Sequence, residues 1–148
     1  ACLIATAQAL DEGMQSRIER HQQQRPVTWQ LIEEPLNLAC AIEKSQKTAS
    51  IVLIDCLTLW LTNLLMKDDE AFLQESIEKF LLTVSECEIE LVLVSNETNM
   101  GIMPLGKLTQ DYCDKIGLLH QSLADKCDRV SLVIAGLPMS LKAPEEKV

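Results

Sequence analysis

The 148-residue chain contains no Cys-x-x-Cys pair, and neither of its two histidines has a cysteine or another histidine at zinc-ligand spacing. Its six cysteines, at positions 2, 40, 56, 87, 113 and 127, sit mostly inside apolar, periodic segments, where cysteine packs as a small hydrophobe. That pattern argues against a secreted disulfide framework and against a structural zinc site, and it fits a reducing, cytoplasmic setting. No apolar run approaches the ~18 residues of a membrane-spanning helix, and no signal-peptide pattern is visible. Basic residues are scarce: 13 Lys and Arg stand against 22 Asp and Glu, for a formal net charge of -9. Without a broad basic surface to displace counterions, a nucleic-acid partner is not indicated. A Gly-x-Ser-x-Gly turn is missing too, so nothing points to a serine hydrolase. There is no internal repeat, low-complexity tract or dividing linker, and residues 1–148 read as one domain.

What is present is a regular alternation. Apolar residues make up 47% of the chain, enough for a packed core. Ala1 to Thr6 reads as a buried strand already under way, and Asp11 to about Gln24 as a helix with Met14, Ile18 and His21 on one face. Val27 to Glu33 reads as a short strand, and Pro35 to Lys44 as a helix with proline in its first turn. Ser50 to Ile54 and Glu90 to Ser95 are apolar runs without alternation, as expected of strands covered on both faces. Between and after them, Leu57 to Met66, Glu70 to Glu86 and Leu108 to Cys127 have helical periodicity. Arg129 to Ala135 reads as a last buried strand. Strands alternating with amphipathic helices predict an α/β domain, a mostly parallel sheet with helices on both faces. Trp29 and Trp60 are expected in the core.

In such sheets chemistry collects beyond the carboxyl ends of the strands. Strand 51–54 runs into Asp55, an acid placed to hold magnesium beside a nucleotide or, alternatively, to cap the following helix. Strand 90–95 runs into Asn96 and a buried-looking Glu97, in a polar loop that ordinary turn chemistry would also produce. Three of the four arginines, Arg17, Arg20 and Arg25, flank His21 within nine residues. Guanidinium groups match phosphate oxygens, and positive surroundings keep an imidazole neutral and nucleophilic. A solvated helix face carrying a stray histidine has the same composition, so the cluster alone leaves both readings open. His120 borders the apolar stripe of the long helix and reads as a structural histidine.

Taken together the residues resemble a known family. Leu3-Ile4-Ala5-Thr6-Ala7-Gln8, Asp11-Glu12, Met14, Arg17-Ile18, His21, Arg25-Pro26 and Trp29 look like the opening of adenosylcobinamide kinase/adenosylcobinamide-phosphate guanylyltransferase. Asp55-Cys56-Leu57-Thr58, Trp60, Asn63-Leu64-Leu65, Val94-Ser95-Asn96-Glu97, Met100-Gly101-Ile102 and Pro104 continue it, and Ala135-Gly136-Leu137-Pro138 carries it towards the end.

The resemblance implies a P-loop NTPase-like (RecA-like) fold and a bifunctional enzyme of cobalamin assembly. One activity would phosphorylate adenosylcobinamide with ATP or GTP. The other would transfer GMP from GTP to adenosylcobinamide phosphate through a GMP-histidine intermediate. The matching histidine is His21; Arg17, Arg20 and Arg25 would bind the nucleotide, Asp55 would hold Mg2+, and Glu97 would lie in the cleft. A cytoplasmic homotrimer is implied as well. The family's first strand and its Gly-x-x-x-x-Gly-Lys-Ser loop, roughly 25 to 30 residues ahead of Cys2, are missing from the sequence, and a cleaved or omitted front segment is the expectation. Arg20 stands where some relatives have a second histidine, and His120 where asparagine is expected. The alternative is a non-catalytic nucleotide-binding or interaction domain that kept the fold without the loop.

Overall fold

Aliphatic runs too apolar to face water, broken by amphipathic stretches of helical period, pair here as a parallel sheet. The computed structural model describes residues 1–8, 13, 15–16, 18, 20, 26–102 and 105–144. Four strands, β1 (Cys2–Ala5), β2 (Gln30–Glu33), β3 (Ile51–Asp55) and β4 (Glu90–Val94), lie in the order β2-β1-β3-β4, each pair parallel. The helices are α1 (Leu38–Ser45), α2 (Leu57–Leu65), α3 (Glu70–Glu86) and α4 (Lys107–Lys126). Gly13, Gln15, Ser16, Ile18 and Arg20 are also helical, inside the stretch predicted as the first helix.

Register explains where the core sits. Cys2 pairs with Val52 and Ile4 with Ile54, while Val52 and Ile54 pair with Leu91 and Leu93, so these side chains share one face of the sheet. Against that face pack Leu38 and Ile42 of α1, Trp60, Leu61 and Leu64 of α2, Phe80 of α3, and Ile116 and Leu119 of α4. Each such side chain contributes roughly 1.5–3 kcal/mol by leaving water. Trp60 is the anchor: its ring lies 4.8 Å from Phe80, centroid to centroid, and its Nε1 donates to the Leu36 carbonyl at 2.8 Å. Trp29, expected in the core, is only half-buried, because it sits in the turn that leads into the edge strand β2. Val92 and Val94, on the opposite face of β4, remain partly exposed.

Helix boundaries follow local chemistry. Asp69 caps α3 by accepting from the Phe72 N–H at 2.9 Å. Pro35, expected inside the first turn of a helix, instead precedes α1. There the Glu34 carboxylate accepts from the N–H groups of Leu36 at 3.0 Å and Asn37 at 2.9 Å, which holds those residues in a turn and delays the helix to Leu38.

The last strand departs from the sequence reading. β5 (Val130–Ile134) does not join the parallel sheet; it forms an antiparallel two-stranded sheet with β6 (Leu137–Lys142). The connection is a two-residue turn, Ala135 and Gly136, both at positive φ (53° and 76°), the backbone that matches hairpin twist. Nor is the strand buried, since Val133 and Ile134 are exposed. Lys142 ties the hairpin to the carboxyl end of α4, its Nζ donating to the carbonyls of Ala124 at 2.8 Å and Asp125 at 3.2 Å. Among the described residues, no helix is long and apolar enough to cross a membrane.

Candidate active site

Parallel strands release their chains on one side of a sheet, and here three of the released turns are stitched together by side chains. Thr6, just beyond β1, is fully buried. Its Oγ1 donates to the Cys56 carbonyl at 2.7 Å and accepts from the Cys56 N–H at 2.8 Å, while its own N–H donates to the Asp55 carbonyl at 3.0 Å. Asn63 of α2 closes the back, its Nδ2 donating to the carbonyls of Thr6 at 2.8 Å and Pro35 at 3.1 Å. Asp55 is thereby fixed as the last residue of β3, half-buried at the sheet's carboxyl edge. It does not cap α2; the N-cap is Cys56, which makes no side-chain cap bond.

The turn after β4 is reached from α2 and α4. Thr58 Oγ1 accepts from the Asn96 N–H at 2.8 Å and lies 3.4 Å from Ser95 Oγ. His120, projecting from α4, places Nε2 2.7 Å from Ser95 Oγ and Nδ1 3.8 Å from Glu97 Oε2. Burial pushes the His120 ring below the ordinary 6.5, and the Glu97 carboxylate opposes that shift without cancelling it. A neutral ring with its proton on Nδ1, towards the carboxylate, accepts the Ser95 hydroxyl at Nε2. The other Glu97 oxygen, Oε1, accepts from the Asn99 N–H at 2.6 Å. Glu97 was read as buried; the loop has left the sheet by this point, and its side chain keeps 34% of its exposure. Nearby, the Tyr112 hydroxyl is enclosed and, among the described residues, has no hydrogen bond of good geometry, only the approach of the Thr98 and Thr58 hydroxyls. Burial raises its pKa above 10.0, with Thr98 and Thr58 offsetting part of the rise.

Asp55 and Glu97 thus occupy neighbouring strand ends. His21, Arg17 and Arg25 lie outside the described residues, and Arg20 is an exposed helical residue. The residues missed as site components are Ser95 and His120. The available signal was a polar ring at the edge of an apolar helical stripe, three residues after Gly117. Among the described residues, no three His, Cys, Asp or Glu side chains converge on a point. Mg2+ keeps several waters and binds through one or two carboxylates plus substrate phosphates, and Asp55 at the carboxyl end of β3 is a carboxylate of that kind.

Known proteins resemble this chain over nearly its whole length. Residues 1–141 match the family model for cobinamide kinase / cobinamide phosphate guanyltransferase. The chain is 48% identical over 139 residues to bifunctional adenosylcobalamin biosynthesis protein CobP of Pseudomonas aeruginosa, covering 94% of this chain and 80% of that protein. It is 33% identical to bifunctional adenosylcobalamin biosynthesis protein CobU of Escherichia coli, with 94% and 84% covered. The equivalent protein of Salmonella typhimurium is 32% identical over the same shares. With nearly all of its length matched, this chain belongs to the cobinamide kinase / cobinamide phosphate guanyltransferase family, the bifunctional enzymes of cobalamin biosynthesis.

Proposed function

We propose that His21 carries the GMP group between the two substrates of the transferase reaction. A neutral imidazole nitrogen attacks the α-phosphorus of GTP; the P–N bond forms, the bond from α-phosphorus to the bridging oxygen breaks, and pyrophosphate leaves. A phosphate oxygen of adenosylcobinamide phosphate then attacks the same phosphorus, the P–N bond breaks, and adenosylcobinamide-GDP is released with the histidine regenerated. Arg17, Arg20 and Arg25 offset charge on the phosphates. In the kinase reaction the aminopropanol hydroxyl of adenosylcobinamide attacks the γ-phosphorus of ATP or GTP; the new O–P bond forms, the bond from γ-phosphorus to the β,γ-bridging oxygen breaks, ADP or GDP leaves, and the hydroxyl proton passes to solvent. Asp55 would hold Mg2+, which when bound neutralises phosphate charge. Glu97 would face the nucleotide from the neighbouring strand end.

The observation carrying this reading is the placement of two acids, Asp55 and Glu97, at adjacent carboxyl ends of β3 and β4, in a chain whose family performs both reactions. The histidine motif in sequence supports the covalent step. A homotrimer and a cytoplasmic location belong to the same proposal and rest on the family resemblance.

The test uses the full-length protein with GTP labelled at the α-phosphate and magnesium. The expected product is a protein adduct labile to acid and stable to base, as a phosphoramidate is. It should be absent in His21→Ala and retained in His120→Gln. No adduct on the unmodified enzyme, or an adduct that survives His21→Ala, would overturn the assignment.

A further inference from the structure

We propose that His120 is a positioning residue of this active site, gripping Ser95 and facing Glu97 so that the loop after β4 presents the glutamate in one orientation. The inference rests on the reading that Glu97 works in the site. Residues 95–99 have no regular structure, so their placement depends on side chains from elsewhere. The face that holds them is written into α4 at the spacing i, i+4, i+7: Cys113, Gly117 and His120. The Cys113 carbonyl accepts from Asn99 Nδ2 at 2.9 Å. Gly117 leaves the gap through which Asn99 approaches; a Cβ there would stand 3.1 Å from Asn99 Nδ2. His120 then takes Ser95 through Nε2 and turns Nδ1 towards Glu97. The apolar stripe of the same helix, Ile116, Leu119 and Leu123, faces the core. One face of α4 anchors the helix and the adjoining one seats the loop.

The two oxygens of Glu97 are oriented differently. One is fixed by its own loop, through the Asn99 N–H, and the other faces α4, 3.8 Å from the imidazole Nδ1. Among the described residues, Glu97 is the charged group acting on the ring, and the Ser95 hydroxyl is its hydrogen-bond partner. Protonating the ring turns Nε2 into a donor. The Ser95 oxygen then accepts from Nε2–H and its own proton turns towards Thr58 Oγ1, while the imidazolium draws Glu97 closer. Activity that depends on the Glu97 orientation therefore acquires an acid limb.

The test measures GMP transfer and adenosylcobinamide phosphorylation by the full-length protein, with kcat and KM for the nucleotide separated, across pH 5 to 8. His120→Leu is expected to lower kcat about tenfold while KM stays within about twofold, as for a misplaced group rather than a lost binding contact. His120→Gln, whose amide oxygen can accept from Ser95, should recover most of the kcat at pH 8 and lose the acid limb. Ring titration by NMR supplies a readout independent of turnover: Glu97→Gln should lower the His120 pKa further. It also serves if His120→Leu fails to fold. Equal losses in Leu and Gln with an unchanged pH profile, wild-type kcat in His120→Leu, or a His120 titration indifferent to Glu97→Gln would overturn the proposal. An unmodified protein without either activity would instead sink the enzymatic role of the strand ends, and the titration would still report on the grip.

Discussion

The two strand ends that frame the site are built in opposite ways. Beyond β3, the Asp55–Cys56 turn is locked from inside: a buried threonine satisfies both backbone groups of Cys56, and a buried asparagine holds that threonine's carbonyl in turn. Beyond β4, the turn at Ser95–Asn99 is exposed and held by contacts from Thr58, Cys113 and His120, all outside the strand itself. A turn locked in the core suits a group whose position must not vary, as a metal-binding carboxylate requires. A turn held by two half-buried side chains and one helix carbonyl is adjustable, and an imidazole among those contacts makes it responsive to protons. Rigidity at β3 and adjustability at β4 are properties of the hydrogen-bond partners, not of the strands.

Substitutions at each end separate the two. The largest expected effect is on turnover: Asp55→Asn removes the charge while keeping the shape, and should lower both activities by about 100-fold or more, several kcal/mol of transition-state stabilisation. Glu97→Gln should cost less, nearer tenfold, because its carboxylate is shared with its own loop. Steady-state rates at saturating Mg2+ decide the order; a Glu97 effect larger than that of Asp55 would reverse the comparison. Next comes stability. Thr6→Val keeps the volume but strips both bonds to Cys56, leaving its buried N–H unpaired and its carbonyl with the bond from the Trp60 N–H alone, and should destabilise the fold by about 2 kcal/mol in urea unfolding. Thr6→Ser should restore most of it. A Thr6→Val loss under about 0.5 kcal/mol would mean that the lock does not lie in these bonds.

Much of the scaffold was legible in the sequence because its signals are local. Glu70–Glu86 is a helix over the predicted span, since its apolar residues recur at helical period and Asp69 stands ready to cap it. β3 and β4 announce themselves as aliphatic runs. The hairpin was not legible. Leu137, Met139 and Leu141 alternate with polar neighbours, but Pro138 counts against a strand, and only pairing with β5 makes the alternation meaningful. Asp55 and Glu97 could be singled out by the rule that strand ends carry chemistry. His120 could not, because its partner lies 25 residues away in another element and meets it only after α4 packs on the sheet.

Gly117 offers a smaller effect that divides the two consequences of one substitution. Gly117→Ala raises helix propensity by about 1 kcal/mol in the middle of α4, and the side chain in its way is the flexible amide of Asn99 on an exposed loop. The expected outcome is a protein more stable by about 0.5 kcal/mol and less active by a few-fold, since the loop is pushed off its seat. Thermal melting and initial rates on one preparation test both. Had the β3 end been seated this way, stability and activity would fall together.

The smallest effect concerns pH. Burial lowers the folded-state pKa of His120 below its ordinary 6.5, so the unfolded chain binds more protons at this ring as pH falls. Stability from the neutral, buried ring is therefore complete above that ordinary value and is lost as pH drops towards the folded-state pKa. The β4 end should loosen on acidification while the β3 end, whose lock is a threonine hydroxyl, does not. Unfolding free energies of wild type and His120→Gln across pH 5 to 7.5 isolate the contribution, because carboxylates titrating elsewhere affect both proteins alike. The difference between them should narrow as pH falls. Glu97→Gln sharpens the sign further: removing this charge, which favours imidazolium, lowers the folded-state pKa and widens the window over which stability declines. A difference that stays flat with pH would show that the ring sits as comfortably charged as neutral, and the two strand ends would then differ in exposure alone.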